Sequence, residues 1–151
     1  MKKDKIFFGI IIIVLLFSLL ILKDNSFNEI KDKTPVTTIV AGEASLVIEI
    51  ADTEEERRQG LSNRVSLDEN SGMLFIFGQP STGGIWMKDM RFPIDIIWID
   101  ENYSIIDIKH NAQPESFPEI FYPQTNAKYV LEVNAGFTKQ HDIFVGDQVQ
   151  F

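Results

Sequence analysis

The chain contains no cysteine. Disulfides, thiol catalysis and thiolate metal sites are therefore excluded, although this absence does not choose between cellular compartments. Histidine is scarce as well. His110 and His141 are the only two, and neither has a second histidine or a carboxylate at the spacing a zinc motif requires. No metal and no cofactor is expected. No Gly-x-Ser-x-Gly elbow occurs, so a serine hydrolase of the usual kind is unsupported. Gly83-Gly84 is too short to cradle a phosphate and reads as a flexible approach to Trp86. Asp100-Glu101-Asn102 lacks the spacing of a calcium loop and reads as turn chemistry. Basic residues are few: from residue 36 onward, eight Lys and Arg stand against eighteen Asp and Glu. So acidic a domain repels phosphate backbones and anionic lipid headgroups, which excludes nucleic acid as an expected partner and holds the domain off a membrane surface.

What the chain does have is one long apolar run. Residues 6–22 carry no charge, and Lys2, Lys3 and Lys5 precede them. At a helical rise of ~1.5 Å per residue the run reaches about 26 Å, slightly short of the ~30 Å hydrocarbon core. Lys5 and Lys23 can snorkel across the difference. The run is longer than the apolar part of a cleaved signal peptide, and neither an Ala-x-Ala site nor a lipid-accepting cysteine follows it. These features favour an uncleaved signal-anchor over residues 1–22, a linker over residues 23–35 and one globular domain over residues 36–151. The positive charge ahead of the run places the N-terminus in the cytoplasm and the domain outside. The expectation is a single-pass protein of the cell membrane, or a secreted one if the segment is cleaved.

The domain reads as mainly β, an α+β arrangement of short strands in a compact sandwich or small barrel with one or two short helices. Residues 37–40 and 45–50 are β-rich around Ala41-Gly42-Glu43, a hairpin signal. Thr53 with Glu56 forms a capping box, the acids Glu54–Glu56 precede Arg57 and Arg58, and Gly60 follows, so a short helix is expected over residues 53–59. Having no apolar residue, it belongs on the surface, with Glu54 pairing to Arg58. Strands are expected at residues 72–77, 84–90, 94–100, 103–109, 128–133 and 148–151, and a short helix near residues 137–141. Residues 110–127, with Pro114, Pro118 and Pro123, read as a long irregular segment, of a kind that is often functional.

Several of these segments look familiar together. Glu56-x-x-x-Gly60-Leu-Ser-x-Arg64, Gly72-Met-Leu-Phe-x-Phe77, Trp86-Met-Lys-x-Met90, Pro93-Ile-Asp95 with Asp100, Tyr129-Val-Leu-Glu-Val-Asn-Ala-Gly136 and Val145-Gly-Asp-Gln-Val149 follow one another in order. They resemble the domain-of-unknown-function family 192, a widespread prokaryotic group, over roughly residues 43–151. Asp89 departs from the pattern, in which Asn commonly follows the lysine. The resemblance implies a compact, mainly β domain, often exported behind an N-terminal signal or anchor. It implies no activity, so no catalytic residue carries over.

Alternation puts Asp95 among the apolar residues of its strand, and Glu132 between Leu131 and Val133. Buried carboxylates need partners. One reading is a polar cleft in which Arg64 and Lys88 hold a ligand while Asp95 and Glu132 accept from it. The other is structural: the two carboxylates cap loop N–H groups or form internal ion pairs. His110, beside the long segment, and Trp86, which with Phe117, Phe121 and Tyr122 offers a stacking platform for a sugar or peptide, complete the candidate ligand-binding set. Trp98 reads as core. The expected role is therefore a membrane-anchored extracytoplasmic binding module for a glycan, peptide or envelope partner. The alternative is a small hydrolase using Asp95 or Glu132.

Overall fold

The structure, a computed structural model, describes residues 36–150. The apolar run and linker on which the anchor reading rests lie outside the described residues. Among the described residues, no helix is long and apolar enough to cross a membrane.

The chain opens with the expected hairpin, β1 (Val36–Ala41) and β2 (Ala44–Ala51), with Ala41 opposite Ala44. Helix α1 (Glu54–Gln59) follows with its capping box complete: the Glu56 N–H donates to Thr53 Oγ1 at 3.2 Å, and the Thr53 N–H donates to Glu56 Oε2 at 3.0 Å. Gly60 ends it at a φ of +48°, a conformation glycine enters without Cβ strain. Then come β3 (Ser71–Ser81), β4 (Ile85–Trp86), β5 (Ile94–Ile99) and β6 (Ile105–Ala112). The last elements are β7 (Ile120–Phe121), β8 (Ala127–Asn134), α2 (Phe137–Gln140) and β9 (Val149–Gln150). The strand expected over residues 84–90 is only two residues long. Asp89 adopts a φ of +55° and the Met90 N–H donates to Met87 O at 3.3 Å, so the chain turns where the strand was expected to continue. Asp and Asn tolerate that left-handed region better than other side chains. The segment of residues 110–127 is partly ordered, holding the end of β6, a 3₁₀ turn at Pro114–Ser116 and β7.

Seven strands make one sheet in the order β6-β5-β8-β3-β2-β1-β9, and β4 pairs with β7 in a separate ribbon. The only parallel neighbours in the large sheet are β2 and β3, which residues 52–70, with α1, connect as a crossover. A sandwich is thus corrected to a single curled sheet, and a closed barrel to a half-barrel. The two edges meet at one end only: Ser104 bridges Gln148, the Ile105 N–H donates to Asp147 O and the Val149 N–H donates to Tyr103 O, each at 2.9 Å.

Period-two alternation divides the apolar residues into two cores. The concave face carries Leu46, Ile48, Leu74, Ile97, Ile99 and Leu131, closed over by Phe137 and Ile143. The convex face carries Met73, Phe75, Ile96, Trp98 and Val130, covered by Leu61, Met87 and Phe121. All six residues of β5 are buried, because it lies between both cores. That explains why its sequence is apolar on both faces, apart from Asp95. Burying one such Ile or Leu side chain is worth roughly 1.5–3 kcal/mol.

Candidate functional site

Glu132 of β8 lies on the convex face in a cross-strand row with Glu49 of β2, Met73 of β3 and Ile96 of β5. It is 5% exposed. The nearby cation is Arg64, in the loop after α1, but its guanidinium is held by Glu49 as a fork: Nη2 donates to Oε2 at 2.8 Å and Nη1 to Oε1. That pairing raises the pKa of Arg64 further. Burial pushes the Glu132 carboxyl up to about 8, and the charge of Arg64 pulls it only partly back. At neutral pH the group is therefore mostly protonated, with one O–H donor and acceptor capacity beside it. Among the described residues its side chain makes no hydrogen bond or ion pair.

Glu132 opens onto a pocket of about 60 Å³ lined by Gly60, Leu61, Phe75, Trp86 and Met90 among others. That is room for a few waters or one functional group of a ligand. The arginines of α1 line it too, yet both are committed. Arg57 donates from Nη1 to Ile76 O at 2.9 Å and to Asp52 O, with its guanidinium 5.6 Å from the Phe77 ring centre, and Arg58 pairs with Glu54 at 3.0 Å. Beside the pocket, Trp86 is 44% exposed and meets Phe117 edge-to-face at 5.9 Å. Ile120, paired with Trp86 across the ribbon, and Tyr122, just past β7, are also exposed. Gly84 permits this packing. A Cβ there would lie 2.2 Å from Ile120 Cγ2 and 2.6 Å from the Tyr122 ring, so glycine serves close approach here rather than the flexible approach to Trp86 expected from the sequence.

Asp95 lies on the opposite, concave face and is wholly buried. Its carboxylate accepts four hydrogen bonds: from the Asn111 N–H at 2.8 Å, the Gly136 and Thr138 N–H groups at 3.1 Å each, and the Thr138 hydroxyl at 2.6 Å. It thereby ties β5 to the end of β6 and to the start of α2. His110 extends this network, with Nδ1 2.9 Å from Thr138 Oγ1. No cation takes part.

The six candidate residues thus do not converge on one cleft. Arg64, Trp86 and Glu132 belong to the convex side, and Asp95 and His110 to the concave side. Lys88 is half-exposed and pairs with Asp89 at 2.8 Å. Two participants went unread in the sequence. Glu49 alternates with Val47 and Ala51, so its face was legible, but its place in the Glu132 row depends on the parallel pairing of β2 with β3. Thr138 gave no local signal at all. Among the described residues there is no group of three or more acidic or histidine side chains able to hold a metal ion.

Comparison with known proteins agrees with the motifs. The family DUF192, described as Uncharacterized ACR, COG1430, matches residues 36–151. A UPF0127 protein of Thermococcus sibiricus is 30% identical over 108 residues, covering 69% of this chain and 65% of its own length. A second UPF0127 protein, from Thermococcus gammatolerans, is 27% identical over 106 residues with the same coverage. The chain thus spans about 65% of the length of these curated relatives. Among crystal structures, a Sinorhizobium meliloti 1021 protein described as a candidate transcription regulator superposes with a TM-score of 0.70 at 32% identity, covering 75% of this chain and 89% of that one. A Novosphingobium aromaticivorans protein of unknown function gives 0.74 at 26% identity, covering 77% and 85%. The chain therefore belongs to the DUF192 family.

Proposed function

We propose that this protein is a binding module, held at the membrane by residues 6–22 with its domain outside the cytoplasm, and that its site is the Glu132 pocket with the Trp86 face. The observation that carries the reading is Glu132 itself: a buried carboxyl without a hydrogen-bond partner among the described residues, opening onto a pocket. A buried polar group left unpaired costs about 1–3 kcal/mol, and a ligand that pairs with it recovers that loss. A protonated carboxyl both donates and accepts, which suits a hydroxyl. The donors of Arg57 are directed to the carbonyls of Asp52 and Ile76, and Arg58 pairs with Glu54, so their geometry is set by the protein itself. The small pocket takes one group of the ligand, while the exposed Trp86, Ile120 and Tyr122 offer a face on which the rest can lie. Together these features favour a glycan over a peptide or envelope protein.

The hydrolase alternative has less behind it. Glu132 has a proton to give at neutral pH, but Glu49 is held by Arg64 and is absent from the pocket lining, and the oxygens of Asp95 are occupied. Nor does the role ascribed to the Sinorhizobium protein carry over readily, since the eighteen acids against eight bases of this domain repel DNA.

The test is a titration of the full chain with a panel of soluble oligosaccharides, read by tryptophan fluorescence. Trp86 is exposed and Trp98 is buried, so a bound sugar should shift the emission of Trp86. Saturable binding is expected, and Trp86→Ala, which lacks the fluorescent reporter and is therefore followed by calorimetry, should abolish it. Binding that survives Trp86→Ala unchanged, or no saturable response across the panel, sinks the reading.

A further inference from the structure

The half-barrel has a second cavity, on the face away from Glu132. Beyond the Ser104–Gln148 bridge, α2 and the residues after it close over the concave face through Phe137 and Ile143. Ile143 reaches the β1–β2 turn, its Cγ1 3.4 Å from where a Cβ on Gly42 would lie. The closure is incomplete. A cavity of about 320 Å³ remains, lined by Asp95, His110, Gly136, Lys139, Ile143 and Phe144, with Asn111 beside them. That volume is within the range of small-molecule sites, and barrel mouths are a common place for them.

The polar groups of this cavity have defined hydrogen-bonding roles. Thr138 has one hydroxyl proton, and it goes to the Asp95 carboxylate at 2.6 Å. Its oxygen must then accept from His110, so the contact at 2.9 Å places a proton on Nδ1. With Nδ1 as the donor, Nε2 is the ring nitrogen left over, and in that tautomer it is an acceptor. Lys139 forms no ion pair among the described residues and can donate only. The pair thus asks for a group that gives a proton in one direction and offers a lone pair in the other. A hydroxyl does both. The lining carries one charge of each sign, so neither an anion nor a cation meets a uniform field. The Asp95 carboxylate in the wall repels an anion, and Lys139 repels a cation. The aliphatic and aromatic surface of Ile143 and Phe144 favours an apolar body.

We propose that this cavity binds a small, neutral, apolar molecule bearing one hydroxyl, a phenol or an alcohol, whose O–H donates to His110 Nε2. The site is independent of the Glu132 pocket and stands or falls separately from it. Phe144, 62% exposed, forms its outer rim, and Asp95 with Thr138 positions His110 without touching the ligand.

The experiment uses the full chain in detergent micelles with isoleucine methyl groups labelled for NMR. The Ile143 methyl signal then reports the cavity itself, not partition of the probe into detergent. Titration with p-cresol should shift that signal saturably. Toluene, which lacks only the hydroxyl, should bind about two- to tenfold more weakly, the net worth of one hydrogen bond. In His110→Phe the advantage of p-cresol over toluene should vanish. Ile143→Trp, which fills the space, should abolish the response of Phe144 and Gly136 amides to either probe. Equal affinity of p-cresol and toluene for the wild-type chain overturns the proposal, as does the absence of any saturable Ile143 shift. Tighter binding of p-toluate than of p-cresol overturns it in favour of an anion site around Lys139.

Discussion

At the scale of single residues, the two buried carboxylates have opposite solutions to the same problem. Asp95 keeps its charge company with four donors, three of them backbone N–H groups. Asp95→Ala leaves those donors without an acceptor inside the fold. It should cost about 3–5 kcal/mol, seen as a lower midpoint in chemical denaturation of residues 36–151. A loss under ~1 kcal/mol would show that water reaches the site and that the carboxylate is not a tie. Glu132 instead gives up its charge. Its pKa of about 8 lies above the ordinary glutamate value of 4.5. The native state holds the proton after the unfolded chain has released it, so this carboxyl favours folding least where both are ionised. Its contribution is fully present below pH ~4.5 and is lost as pH rises to about 8. Glu132→Gln cannot ionise. The variant should gain on the wild type across that window, by on the order of 4 kcal/mol at its upper end, and then run parallel to it. A stability difference that stays flat from pH 4 to 9 (roughly the span in which both states titrate) would refute the protonated carboxyl.

Among the elements, the β4–β7 ribbon is the one most dependent on a single side chain being absent. Its two pairs, Ile85 with Phe121 and Trp86 with Ile120, lie directly after Gly84. Gly84→Ala should disturb the ribbon, because a Cβ there would lie 2.2 Å from Ile120 Cγ2 and 2.6 Å from the Tyr122 ring, so both side chains must shift. The expected cost is about 1–3 kcal/mol, together with a change in Trp86 emission. An unchanged spectrum and midpoint would mean that β7 is loosely held. Helix α1 was legible down to its cap because its signals are local: Thr53, Glu56 and Gly60 all lie within about two helical turns. The short β4 was not legible. Its continuation through Met87 and Lys88 was expected from residue type, but Asp89 turns the chain by its backbone, and its place beside the helix loop is sealed by the Asn63 N–H donating to Asp89 O at 2.8 Å.

For the whole molecule, the proposal with the largest consequence is that the domain is held at a membrane and lies outside the cytoplasm. The absence of cysteine makes the test direct. Ser45 is exposed on β2, and Ser45→Cys would carry the only thiol in the chain. An impermeant maleimide should label it in intact cells. Labelling only after lysis would place the domain inside and remove the glycan reading with it. The half-barrel makes such a domain stable without disulfides, since the sheet has an apolar layer on both faces and its edge strands meet through Ser104 and Gln148. That contact leaves less free edge for another chain to pair with.

By itself the sequence determined the hairpin, the capped surface helix, the buried strands of the core and the fact that Asp95 and Glu132 are buried. Each of these follows from neighbours within a few residues, through alternation, capping and turn chemistry. It also determined what chemistry is missing. Only the tertiary structure decided what each carboxylate meets. Adjacent β5 and β8 present Asp95 and Glu132 to opposite faces, because Asp95 pairs with Val133 and Glu132 with Ile96, one register step apart. A single step in a sheet reverses the side on which a side chain lies. The polar cleft of Arg64, Lys88, Asp95 and Glu132 that the sequence offered as one of two readings is thereby divided, with backbone donors around one carboxyl and a pocket before the other. No spacing along the chain encodes that division, which depends on the order in which distant strands pair.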